Sequence, residues 1–264
     1  ARLEGAYALA LIFAGHQDLV IGAQRGAPLA VGFGAEEMYL GSDALALAPL
    51  TREIAYLEDG DWVVVTAKGA TFHDEHNHVV LRQKKLTALT GAAIGKGNFR
   101  HFMEKELHEH PVVIGDVLHR MLEGEAPRLP ALPFDLAGIK RITMSACGSA
   151  FYAGLTAKFW LENLARVPVE ADVASEFRYR APPMEAGGLG LLVSQSGETA
   201  DTLAALRYMK AEGQKILSVL NVPESTMARE SDAILETIAG PEIGVASTKA
   251  FTAQMTTLAV FALA

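Results

Sequence analysis

The chain has 264 residues, with 23 basic and 31 acidic side chains, a formal charge of -8, and half of its residues hydrophobic. That balance describes a folded chain of one large or two modest domains. It argues against recognition of a nucleic-acid backbone, which runs on Lys and Arg. One cysteine, Cys147, excludes an internal disulfide framework and fits a reducing, cytoplasmic setting, and no apolar run reaches the roughly 18–20 residues of a membrane span.

Residues 1–83 read as short strands and turns. Apolar runs at 7–13, 19–22 and 29–33 are followed by Met38-Tyr39-Leu40-Gly41, and Ser42-Asp43 offers a helix cap before 44–48. The turn signal Glu58-Asp59-Gly60-Asp61 separates strands at 54–57 and 62–66, and 79–81 reads as a last strand. A layer this small is expected to lack a closed core of its own and to need a partner over its apolar face. The chain opens at Ala1, close to a strand, and stops inside an apolar helical run without a cap, so it reads as a segment of a longer one.

Residues 84–98, charged and glycine-bearing, read as a linker. A charged helix over 99–110 follows, whose Glu104, Lys105, Glu106 and Glu109 read most simply as a solvated face. Pro111 ends that helix or opens the next, over 112–122, and 123–136 is a proline-bearing loop. From 137 onward strands alternate with helices. Strands are expected at 139–145, 167–173, 190–194, 216–222 and 233–238, and helices at 151–165, 199–212, 225–230 and from 247 onward. The pattern predicts an α/β fold, a parallel sheet flanked by helices, with ligands beyond the carboxyl ends of the strands.

Three strand ends carry polar, glycine-containing turns: Ser145-Ala146-Cys147-Gly148-Ser149-Ala150, Ser194-Gln195-Ser196-Gly197-Glu198-Thr199, and Glu242-Ile243-Gly244-Val245-Ala246-Ser247-Thr248-Lys249. The second is the most informative. Hydroxyls at Ser194, Ser196 and Thr199, the Gln195 amide and a turn at Gly197 meet the start of a helix, whose free N–H groups and dipole favour an anion. Phosphate binding and plain helix capping both fit these residues. In the first turn, Ser149 reads as a cap or as a partner for a sugar hydroxyl. In the third, Lys249 in the first turn of a helix opposes the dipole, which points to a task beyond helix stability unless the side chain is simply exposed.

Other candidates read more plainly. Cys147 follows an apolar strand and reads as a small buried hydrophobe rather than a nucleophile. His101, His108 and His110 carry no metal signature, and His73, Asp74, His76 and His78 read as a solvated turn between strands. Ala174-Ser175-Glu176-Phe177-Arg178-Tyr179-Arg180 reads as a solvated loop, with an interface or a substrate lid as the competing reading.

The stretches SDALALAPLTREIAYLEDGD (42–61), FRHFMEKELHEHP (99–111), SACGSA (145–150), ASEFRYR (174–180), SQSGETADTLAALR (194–207), NVPESTMARESD (221–232) and EIGVASTKAFTAQ (242–254) resemble, in order, the glutamine–fructose-6-phosphate aminotransferase (isomerizing) family. The serine-rich loops alone would indicate only a sugar-isomerase (SIS) domain; ASEFRYR and EIGVASTKAFT are narrower. The resemblance implies that 1–83 is the carboxyl-terminal part of an N-terminal-nucleophile glutaminase domain, 84–98 a linker, and 99–264 the isomerase half through its first SIS domain, of flavodoxin-like form. It implies conversion of fructose 6-phosphate and glutamine to glucosamine 6-phosphate by a homodimer, without a metal or organic cofactor. By motif match, Ser194, Gln195, Ser196 and Thr199 would hold the phosphate, and Ser149, the Val245 backbone and Ser247 would contact the sugar. Ala150 stands where the family often has Ser, and can offer only backbone. The family's amino-terminal Cys nucleophile matches neither Ala1 nor Cys147, and its Schiff-base Lys, proton-moving Glu and ring-opening His lie in the second SIS domain or the tail. No catalytic residue is therefore assigned, and the segment alone is expected to be inactive. The alternatives are an SIS-domain sugar-phosphate deglycase or isomerase and a non-catalytic sugar-phosphate sensor.

Overall fold

The structure is a computed structural model, and it describes residues 3–87 and 95–264. The middle of the expected linker, 88–94, lies outside the described residues. The chain divides into two compact units, Ala1–Gly95 and Lys96–Ala264.

In the first unit, alternating side chains build two antiparallel sheets. Strands β1 (Tyr7–Phe13), β2 (His16–Arg25), β6 (Trp62–Thr66), β7 (Gly69–His73) and β8 (Val79–Val80) form one, in the order β1-β2-β6-β7-β8. Strands β3 (Ala30–Phe33), β4 (Met38–Gly41), β5 (Glu53–Tyr56) and β9 (Lys85–Leu86) form the other, in the order β4-β3-β5-β9. Val63, Val65 and Phe72 from the first sheet pack with Val31 and Ala55 from the second and with Leu57, just after β5. The outer face of the second sheet is covered by a short helix α1 (Ala44–Leu47), through Ala30, Leu47 and Ile54. Asp43 caps that helix, accepting from the Ala46 amide at 2.8 Å.

The two sheets therefore close a small core, contrary to expectation, while Leu11, Ile12 and Phe13 of β1 stay exposed, in line with the expected uncovered apolar face. β7, which carries Gly and Thr and shows no apolar run, supplies Phe72, and the two sheets cover each other. The start of the expected linker is also structured, since β9 pairs with β5. His73 is in β7, stacked on Trp62 with ring centroids 4.0 Å apart, and not in the turn.

The second unit opens with α2 (Phe102–His108) and α3 (His110–Met121), with Pro111 in the first turn of α3. Val113, Val117 and Met121, four residues apart, face the core. The proline-bearing loop contains a two-strand hairpin, β10 (Leu122–Glu123) and β11 (Ala126–Pro127).

A parallel sheet follows: β12 (Ile142–Ala146), β13 (Val169–Val173), β14 (Leu189–Ser194), β15 (Lys215–Leu220) and β16 (Ala233–Glu236), in the order β13-β12-β14-β15-β16. Every residue of β14 is buried, because both faces are covered. Leu189, Leu191 and Val193 point to one layer, with α3, α4 (Gly148–Trp160) and α8 (Lys249–Leu263). Leu192 points to the other, with α5 (Ala174–Arg180), α6 (Ala200–Ala211) and α7 (Thr226–Glu230). Where α4 crosses β12 there is no room for a side chain: a Cβ on Gly154 would lie 2.2 Å from Met144 Sδ.

The solvated-loop reading of 174–180 fails. ASEFRYR is helix α5, not a loop: Phe177 is wholly buried, Arg178 pairs with Asp201, and Arg180 pairs with Asp172 and Glu170. A single buried aromatic with two tethered cations orders a run whose composition looks solvated.

Candidate functional site

Counted along the chain from β12 to β16, the sheet order is 2-1-3-4-5. In such a sheet the chain leaves β12 toward one edge and β14 toward the other. The loops beyond their carboxyl ends part and leave a crevice there, where ligands of this architecture bind. The two loops that flank it are the first and second polar turns.

The first is an abrupt strand-to-helix turn. Cys147 is extended, and Gly148 enters α4 at φ +58, a left-handed conformation that favours glycine. No side chain caps α4. Ser149 is half-buried at its second residue, and Ala150 packs against the core. Cys147 is partly buried against Phe177 and its neighbours, a small hydrophobe as read.

In the second loop the hydroxyls divide by role. Ser194 is buried, and its Oγ accepts from the Gly197 amide at 3.0 Å and lies 3.4 Å from Thr199 Oγ1. Ser196 Oγ accepts from the Glu198 amide at 3.1 Å. Gly197 has φ +66, and a Cβ there would fall 2.1 Å from Ser225 Oγ. Its carbonyl accepts from the Met227 amide, and the Gln195 carbonyl from the Asn221 amide, so the bend is tied to the next strand's loop. Thr199 flanks α6 but makes no capping bond, which leaves the first-turn amides of a three-turn helix without a side-chain acceptor. Glu198 turns away from that helix start, and its Oε1 accepts from the Thr226 amide at 2.7 Å. Burial pushes its carboxyl above the ordinary range, against the lowering effect of that bond. The bend is thus set by its own hydrogen bonds, with Gln195, Ser196 and Thr199 half-buried along it.

The third loop is held by carboxylates. Glu242 accepts from Ser247 Oγ at 2.9 Å, the Thr248 amide at 2.8 Å and the Ala250 amide at 3.1 Å, and so caps α8 from six residues upstream. Val245 is fully exposed at the tip. Glu106 from α2 is 2% exposed, and its Oε1 accepts from the Ile243 amide at 2.6 Å and the Gly244 amide at 3.0 Å. Lys249 is 4% exposed and donates to Glu109 Oε2 at 2.6 Å. These contacts correct one expectation, since Glu106 and Glu109 are not a solvated face, and of the two readings left open for Lys249 they exclude the exposed cation. The one local signal was Lys249 at a helix start, where the dipole disfavours a cation; nothing local named the partners, which lie more than a hundred residues away.

Among the described residues no group of three His, Cys, Asp or Glu side chains could hold a metal ion, and no helix is long and apolar enough to cross a membrane. A surface cavity of about 400 Å³ is lined by Arg120, Met121, Arg128 and Leu235 and their neighbours, none of them from the three loops.

The SIS domain family model matches residues 135–264. This part of the chain has an SIS-type fold, a five-stranded parallel sheet flanked by helices. The whole chain is 58% identical over 267 residues to a glutamine–fructose-6-phosphate aminotransferase (isomerizing) of Bradyrhizobium diazoefficiens, covering 100% of this chain and 44% of the relative. It is 58% identical to one of Zymomonas mobilis, covering 99% and 43%. The resemblance to that family therefore runs from end to end, while the chain spans less than half the length of these relatives. Among solved structures, the C-terminal domain of glucosamine-fructose-6-phosphate aminotransferase from Francisella tularensis aligns with a TM-score of 0.59 and 42% identity, over 64% of this chain and 48% of that one. A glucosamine-6-phosphate deaminase from Thermotoga maritima aligns at 0.52 with 22% identity over 61% of this chain and 48% of that one, a likeness of fold alone. The loop after β12 carries Ser149 and Ala150, and the loop after β14 carries Ser194–Thr199.

Proposed function

We propose that this chain is the sugar-phosphate-binding part of an enzyme that converts fructose 6-phosphate and glutamine to glucosamine 6-phosphate. The observation that carries the reading is the 194–199 bend. It sets hydroxyls beside the uncapped start of a twelve-residue helix, at the crevice of the sheet. A phosphate dianion is stabilised there by helix-start amides and by hydroxyl donors, with no basic side chain required.

In this reading Gln195, Ser196 and Thr199 contact the phosphate. Ser194, whose hydroxyl already holds the Gly197 amide, shapes the bend as well. Ser149, the Val245 backbone and Ser247 contact the sugar, and Ala150 contributes backbone. The Ser247 hydroxyl is already donated to Glu242, so it meets a sugar hydroxyl as an acceptor. The first unit belongs, by resemblance, to a glutaminase domain that releases ammonia from glutamine. A cytoplasmic homodimer is the expected form of the complete protein; the lone Cys147 supports the reducing compartment. This segment carries none of the groups assigned to bond-making and is expected to form no glucosamine 6-phosphate alone.

The test is titration with fructose 6-phosphate of the wild-type chain, Ser196→Ala and Thr199→Ala. Each variant is expected to weaken binding by about 1 kcal/mol or more, the net worth of one hydrogen bond to an anion. Equal affinity in all three removes the phosphate assignment.

A further inference from the structure

The loop 242–248 carries Val245 and Ser247, and its apex is held from outside the matched SIS domain. Glu106 belongs to α2, 137 residues before Ile243 in sequence. Its carboxylate takes two consecutive backbone amides, with Oε1 at 2.6 Å from Ile243 N and 3.0 Å from Gly244 N, and Oε2 at 3.2 Å from Gly244 N. An independent feature fits the same contact: a Cβ on Gly244 would lie 2.5 Å from Glu106 Oε2, so the close approach needs glycine at 244. Taking a carboxylate out of water is costly unless its oxygens are bonded. An apolar side chain would fill the same volume without that cost. The buried charge fixes two successive peptide planes, and with them the backbone that runs into Val245.

We propose that Glu106 is a positioning residue of the sugar subsite: its carboxylate sets the 243–245 backbone so that the Val245 main chain and Ser247 meet the sugar of a hexose phosphate. The inference rests on the sugar-phosphate reading above and adds a residue from α2 to it. Phosphate contacts and sugar contacts are then supported separately, the first by the bend's own hydrogen bonds and the second by Glu106.

The experiment titrates the 264-residue chain with fructose 6-phosphate and with inorganic phosphate, for wild type, Glu106→Gln and Gly244→Ala. Binding is followed by NMR at millimolar ligand, with amide exchange read at Ile243 and Gly244. Both variants are expected to weaken fructose 6-phosphate by about tenfold while changing inorganic phosphate by less than about twofold, with faster exchange at the two amides. If wild type fails to bind fructose 6-phosphate, the sugar-phosphate reading falls, and the inference with it. If wild type binds and both variants bind fructose 6-phosphate equally well, the inference alone falls. Loss of both ligands together in both variants would show that Glu106 supports the fold at large, and would overturn the positioning role.

Discussion

Lys249 Nζ lies 2.6 Å from Glu109 Oε2, although the two residues are 140 positions apart. The pair joins the first turn of α8 to the junction of α2 and α3. It explains a cation at a helix start, where the dipole disfavours one: the charge is answered by a carboxylate rather than by solvent.

The pair sets an acid-dependent contribution to stability. Burial alone would raise the Glu109 carboxyl, but hydrogen bonds and charge from Lys249 and Lys105 outweigh it and hold the group below its ordinary value of 4.5. A depressed carboxyl stabilises the fold fully above its unfolded value and loses that contribution as pH falls through the lower folded value. Urea unfolding of wild type should therefore show stability declining as pH falls below about 4.5, with a shallower decline in Glu109→Gln. At pH 7 the same variant, which leaves Lys249 buried without a counter-charge, should lose about 2 kcal/mol. That is less than for a fully buried pair, because part of the Glu109 side chain is in solvent. Equal pH profiles would contradict the pairing.

Glu198 should behave in the opposite sense. Its carboxyl is raised by burial, so the folded state carries a penalty above the folded value that is relieved as pH falls through it. Glu198→Gln keeps an oxygen for the Thr226 amide and removes the charge. Wild type should gain stability relative to this variant as pH falls from 7 toward 4.5, the group's ordinary value. A constant difference between the two, measured by urea unfolding at several pH values, would show that burial does not govern this carboxyl.

At the bend, Gly197→Ala places a methyl group against Ser225 Oγ in a left-handed conformation. The expected cost is about 2 kcal/mol or more of stability, with weaker phosphate binding as the bend shifts. The double variant with Ser225→Gly, which removes both the Oγ and the Cβ that the new methyl group would meet, should recover the part due to collision, less the lost cap on the Ala228 amide, and leave the backbone strain. Full recovery in that double variant would mean that the left-handed conformation at 197 is not a constraint.

Ser194→Ala should separate shaping from contact. It removes the acceptor of a buried amide, with an expected loss of about 1–2 kcal/mol in unfolding free energy, whereas Ser196→Ala on the half-buried side should cost less than about 1 kcal/mol. Denaturation curves that rank the two the other way would reverse the roles given to these hydroxyls.

The parallel sheet was legible because its strands are unambiguous. β14 is a nearly continuous apolar run, as a strand covered on both faces must be, and Ser225 and Asp43 stand where helix caps belong. The polar turns were legible for the same local reason, since hydroxyls and glycine sit next to a helix start. What the sequence hid was non-local. β7 has no apolar run, and only its pairing with β6 makes Phe72 a core residue. Glu106 and Glu109 look like solvent-facing charge because their amide and ammonium partners arrive from another part of the chain. Helix α5 is ordered by Phe177 beneath it and by carboxylates on neighbouring elements, none of which its own composition announces.

The family match begins at residue 135, yet α3 contributes Val113, Val117 and Met121 to the sheet's packing, and α2 contributes Glu106. A shortened version cut at that boundary would strip one flank of its cover and take away the carboxylate that answers Lys249. The compact unit accordingly starts at Lys96, upstream of α2, and the border drawn by sequence kinship falls inside that unit rather than at its edge.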